Sequence, residues 1–83
     1  MTYIILPIRH DLANYLIKHG LVKKWQKVKQ FLANDLSHPS LNFKKIILQG
    51  TIFYSFRLDK KYRGICVLTN NRIEIIMFTK HYQ

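Results

Sequence analysis

Ile52-Phe53-Tyr54-Ser55-Phe56-Arg57-Leu58 alternates, with Ile52, Tyr54, Phe56 and Leu58 on one side and Phe53, Ser55 and Arg57 on the other. A period of two is the mark of a half-buried strand, because successive side chains point to opposite faces of a sheet. Phe53, Tyr54 and Phe56 read as core residues, and a strand arginine such as Arg57 ordinarily points outward. Downstream, Asp59-Lys60-Lys61 turns the chain. Tyr62–Thr69 and Arg72–Tyr82 then read as two more strands, joined at Asn70-Asn71. Asparagine tolerates left-handed backbone angles, so this pair suits a tight hairpin. Upstream, Gly50 marks a turn and Lys44–Gln49 reads as a further strand.

The first half of the chain changes period. Leu21, Trp25, Val28, Leu32 and Leu36 recur at steps of three or four, and Val22 and Phe31 widen the stripe. Lys23, Lys24, Lys27 and Lys29 fall mostly elsewhere, which predicts an amphipathic helix with a basic outer surface. Before it, Arg9–His19 carries Leu12 and Leu16 at helical spacing and ends at Gly20, a residue favoured just past a helix. Tyr3–Pro7 is a short apolar run stopped by proline, and Ser37–Leu41 reads as a loop. The order βααβββ, with Lys44–Gln49 as an added strand, predicts an α+β fold. Two N-terminal helices pack on a mostly antiparallel sheet of four to five strands, in one domain spanning 1–83.

Charge points to the partner. Fourteen Lys and Arg face four Asp and Glu, a formal net charge of +10. Self-repulsion at that level costs stability, and a polyanion relieves it; nucleic acid is the commonest. Lys23, Lys24 and Lys27 on the helix, with no carboxylate from Lys18 to Leu32, form one candidate RNA-binding surface, and Lys44 and Lys45 supply further contacts. Cys66 is the only cysteine, so no internal disulfide can form, which suits the reducing cytoplasm. The run Tyr3–Leu6 lacks the features of a leader, and no apolar run approaches the roughly 20 residues that span a membrane. His10, His19, His38 and His81 are scattered, so neither a metal site nor another cofactor is expected.

Tyr54-Ser55-Phe56-Arg57-Leu58, Tyr62-Arg63-Gly64-Ile65 and Lys80-His81-Tyr82 carry a resemblance, joined by His38-Pro39-Ser40-Leu41 and by Lys44-Lys45 before Gly50. Together they resemble the RelE/ParE superfamily of bacterial toxins from type II toxin–antitoxin pairs. The resemblance implies a small basic toxin held inactive by an acidic antitoxin. In the RelE and YoeB branches the freed toxin enters the ribosome and cuts mRNA; in the ParE branch the target is DNA gyrase. The ending His81-Tyr82, and the placing of Arg57 and Arg63, are most similar to YoeB. One departure stands out: Leu36–Leu58 contains no Asp or Glu, where YoeB carries a glutamate base. That favours a RelE-like site built from basic and aromatic groups.

RNA cleavage by its own 2′-hydroxyl needs a group to take the 2′ proton, charge stabilisation at the phosphate, and a proton for the leaving 5′ oxygen. Arginine suits the second because its planar fork meets a phosphate in bidentate fashion and keeps its charge, which singles out Arg57 and Arg63. Histidine suits the proton transfers, and His81 is the histidine of the strand-rich half. Tyr82, Lys44 or Lys45 can supply the remaining transfer or a phosphate contact. These roles rest on the resemblance, since a strand arginine is ordinarily a solvated residue and a terminal histidine a frayed one. Strand geometry adds a condition. A strict two-residue loop at Asn70-Asn71 pairs Thr69 with Arg72 and Arg63 with Phe78, which puts His81 across the sheet from Arg63. A bulge, a longer loop or a bend must intervene, and bulges collect near active sites. Two readings follow: a metal-independent, ribosome-dependent mRNA endonuclease that inhibits translation, or a ParE-like gyrase inhibitor or inactive nucleic-acid-binding relative without chemistry of its own.

Overall fold

Alternation in the central stretch forms a strand, and the sheet grows from it on both sides. The computed structural model describes residues 2–80. Strands β2 (Lys44–Leu48), β3 (Thr51–Arg57), β4 (Tyr62–Thr69) and β5 (Arg72–Lys80) pair antiparallel in chain order. The N-terminal β1 (Ile4–Ile5) runs parallel to β5, giving a five-stranded sheet in the order β1-β5-β4-β3-β2. The β2–β3 hairpin turns on Gln49 and Gly50, at φ 51° and 80°. Positive φ at both central residues is the requirement of the tight turn that matches strand twist, so Gln49 leaves the strand to join the turn. Asn70 likewise takes the left-handed region, at φ 55°.

Helices α1 (His10–Lys18) and α2 (Val22–Asn34) lie together on one face. Gly20 at φ 67° separates them. The Gly20 N–H donates to the Ile17 carbonyl at 3.2 Å and the Leu21 N–H to that of Leu16 at 2.8 Å. These two bonds satisfy the last carbonyls of α1 and bury Leu21 against Leu16, a Schellman ending. Leu21 thus belongs to the link, and α2 starts one residue later than its apolar stripe. Leu36 falls beyond the helix, which closes at Asp35.

The core lies where the helical stripe meets the inward positions of the sheet. Leu12 and Leu16 of α1, with Trp25, Val28 and Leu32 of α2, pack in one cluster with Phe56, Cys66, Ile73, Ile75 and Phe78. The Trp25 ring meets Phe78 edge-on at 5.5 Å and tilts against Phe56 at 6.2 Å, geometries that aromatic quadrupoles favour. The Phe56 ring also lies directly on Gly64, where a Cβ has no room. Phe53 departs from expectation: parity puts it on the outer face with Ser55 and Arg57, outside the core cluster that holds Phe56 and takes Tyr54 at its edge, and Ile52 at the start of β3 is about half exposed. Among the described residues, no helix is long and apolar enough to cross a membrane.

The ladder between β4 and β5 holds the irregularity that the sequence required. Thr69 pairs with Arg72, as a strict hairpin demands, and Cys66 pairs with Ile75. Ile65 then pairs with Met77, which leaves Ile76 as the extra residue of a bulge. From there the register is shifted, so Arg63 lies opposite Thr79 and not Phe78. The bulge is held from outside. An Arg9 guanidinium nitrogen donates to the Ile76 carbonyl at 3.0 Å, while Asp11 binds the same guanidinium at 3.0 and 3.1 Å.

Candidate functional site

The outer face of the sheet, away from the helices, collects the arginines. Register places Arg57 directly opposite Arg63, Ser55 opposite Ile65 and Lys44 opposite Ser55. Alternation therefore puts Arg57, Arg63, Ser55 and Lys44 on one face. Lys45 pairs with Tyr54 and takes the other face, so the two adjacent lysines part company.

Arg63 is oriented by the protein. One of its terminal nitrogens donates to Ser55 Oγ at 2.9 Å and to the Asn42 carbonyl at 3.2 Å. Ser55 sits on the outer face yet is buried, and the guanidinium satisfies its hydroxyl. Asn42 adopts the left-handed region at φ 46°, just after the 3-10 turn Pro39–Leu41, which is how its carbonyl reaches the arginine. That turn is tied at its start by His38, whose Nδ1 accepts from the Ser40 N–H at 3.1 Å. A guanidinium carries five N–H donors, so these bonds leave others to meet an anion. Partial burial, and then the neighbouring charge of Arg57, hold the Arg63 pKa below the ordinary arginine value. It remains a cation near neutrality. Two like charges facing each other across a ladder repel, and a phosphate between them relieves that repulsion.

The helical lysines divide. Lys23 and Lys27 are exposed on α2. Lys24 Nζ binds Asp59 Oδ2 at 2.7 Å and so ties the helix to the β3–β4 turn. Asp59 Oδ1 accepts from the backbone N–H groups of Lys61 and Tyr62, each at 2.8 Å. Burial acts to raise the Asp59 pKa, but the bonds from Lys24, Lys61 and Tyr62 outweigh it, and the carboxyl sits below its ordinary range. His81 and Tyr82, the expected proton-transfer pair, lie outside the described residues. Sequence reasoning missed the partners of Arg63. Ser55 was detectable in part, since the alternation already placed it beside Arg57; nothing local announces the Asn42 carbonyl.

No protein-family model matches the chain, and no curated protein matches it in sequence. Solved structures do match. The YoeB dimer of Staphylococcus aureus aligns with TM-score 0.68 at 20% identity, over 99% of this chain and 98% of that one. The YoeB–YefM complex of the same organism aligns with TM-score 0.65 at 21% identity, over 99% and 98%. A copper-bound mutant toxin from Helicobacter pylori aligns with TM-score 0.66 at 7% identity, over 98% and 96%. The chain shares the fold of these proteins along nearly its whole length.

Proposed function

We propose that this chain is the toxin of a type II toxin–antitoxin pair and acts as an mRNA endonuclease of the RelE/YoeB kind on the ribosome. The observation that carries this reading is the Arg57–Arg63 pair on the outer face, in a fold shared with two YoeB structures. In the proposed reaction the 2′-hydroxyl oxygen attacks the adjoining phosphorus and the bond to the 5′ oxygen breaks. The products are a 2′,3′-cyclic phosphate and a 5′-hydroxyl end. Arg57 and Arg63 hold the phosphate and neutralise the charge that builds on its oxygens, with Arg63 already aimed by Ser55 and Asn42. His81 exchanges a proton with one of the two reacting oxygens, and Tyr82 or Lys44 serves the other. The bulged register supports this arrangement as far as Thr79, which lies opposite Arg63.

The net charge of +10 calls for an acidic protein to hold the toxin inactive, and the complex of YoeB with YefM supports a protein partner of that kind. Induced expression in growing bacteria, followed by mapping of mRNA ends, tests the reading. New 5′-hydroxyl ends at translated codons are expected from the wild type. They should disappear in His81→Ala and Arg63→Ala, with antitoxin binding kept. Intact mRNA together with loss of gyrase supercoiling activity would replace the nuclease by a gyrase inhibitor of the ParE kind.

A further inference from the structure

Beside the arginine face, at the end of the sheet, α2 and the β3–β4 turn line an open cleft of about 350 Å³. Val28, Phe31 and Leu58 form its apolar floor, and Lys27, Arg57 and Lys60 stand around it. The Phe31 ring is backed by His38, nearly parallel at 3.8 Å, so it is held as a flat wall. The carboxylate beside it, Asp59, is neutralised by Lys24, and the rim stays cationic. A flat apolar wall under a ring of cations matches a planar base that carries a phosphate. The volume falls within the range of pockets that take small molecules. Arg57 belongs to both this cleft and the arginine pair.

We infer that the cleft seats one nucleotide of the RNA, next along the strand from the phosphate held by Arg57 and Arg63. The base lies on Phe31, Val28 and Leu58, and its phosphate meets Lys27 and Lys60. A strand whose scissile phosphate lies at Arg57 enters the cleft with its neighbouring nucleotide, so Arg57 is the hinge of the two subsites. This inference rests on the RNA-cleaving reading for the order of the nucleotides, but its test needs no cleavage.

The test is an amide-resolved NMR titration of the full chain with adenosine 5′-monophosphate, adenosine and inorganic phosphate in turn. The monophosphate is expected to shift the amides of Phe31 and Leu58 together with Lys60. Inorganic phosphate should shift the lysines and leave Phe31 and Leu58 unmoved. Ser40→Trp, which fills the cleft beside Phe31, and Lys60→Glu, on an exposed turn, should each weaken the monophosphate about tenfold. The same shift pattern from phosphate and nucleotide would reduce the cleft to a general anion surface and overturn the inference. So would unmoved Phe31 and Leu58 amides under the monophosphate. Monophosphate binding in the cleft without mRNA cleavage in cells would keep the subsite and sink the nuclease. Cleavage without binding in the cleft would do the reverse.

Discussion

Arg63 is held where its own charge is disfavoured. Burial comes first among the causes that lower its pKa, and the charge of Arg57 second. The sign follows. A cation whose pKa is lower in the folded state than in the unfolded one costs stability at every pH at which it stays protonated. For an arginine this includes the whole neutral range, so no pH switch arises here. Removing the facing charge should therefore stabilise the fold. Arg57→Gln is expected to raise unfolding free energy by roughly 0.2–1 kcal/mol, the usual cost of like charges directly opposite in a sheet. The same change should weaken RNA binding about tenfold, since a charged hydrogen bond to phosphate is lost. Urea unfolding and RNA affinity measured on the same variant check both halves; a loss of stability would show that the two guanidiniums do not strain the fold. The placing of Arg57 beside Ser55 on one face was legible in the alternation, and the role proposed for Arg63 comes from the family resemblance. The bonds that aim Arg63 were not legible. A side chain reaching diagonally to Ser55 depends on register, and the Asn42 carbonyl depends on a left-handed residue that no local pattern signals.

The strand β4 carries a close contact at its glycine. Gly64 lies under the Phe56 ring with no room for a methyl group. Gly64→Ala should cost about 1–3 kcal/mol, the range for overfilling a packed core. In a chain of this size that lowers the melting temperature by at least about 4 °C. Phe56→Leu in the same chain should recover part of the loss, and its failure to do so would locate the strain elsewhere. The β3–β4 turn gives a pH dependence. Asp59 has a depressed pKa, so its contribution is full above the ordinary value of 3.8 and fades as pH falls through the lower native value. Asp59→Asn should flatten the stability profile in that acid window, measured by urea midpoints from neutral pH downwards. The elements themselves were legible wherever one period dominated, as in α2 and β3. The bulge was not located by sequence, because Ile75–Phe78 is apolar at both parities and either register there buries a large side chain. Only the outer-face demand that Arg63 and a later residue share a side pointed to an irregularity at all.

Across the whole molecule the cations are distributed so that a polyanion meets several at once. Arg57 and Arg63 share the outer face with Lys44, and Lys27 and Lys60 stand around the adjoining cleft. If RNA follows that path, about five phosphate contacts release bound counterions. For a single strand each contributes about 0.7 to the slope of log affinity against log salt. The slope should then be near −3.5, so affinity falls about 100-fold between 50 and 200 mM salt. Charge reversal separates the cations further. Lys27→Glu should reduce the slope by about one or more, while Lys23→Glu should do so only if the strand continues along α2. Lys24 is a poor probe of the same question, since its reversal would also set two carboxylates against each other at Asp59 and loosen the turn. An affinity series across salt for the wild type, Lys23→Glu and Lys27→Glu distinguishes the routes. A slope near zero in the wild type rejects an electrostatic interface. A normal slope that neither reversal changes confines the RNA to the outer face of the sheet and removes it from both the cleft and the helix.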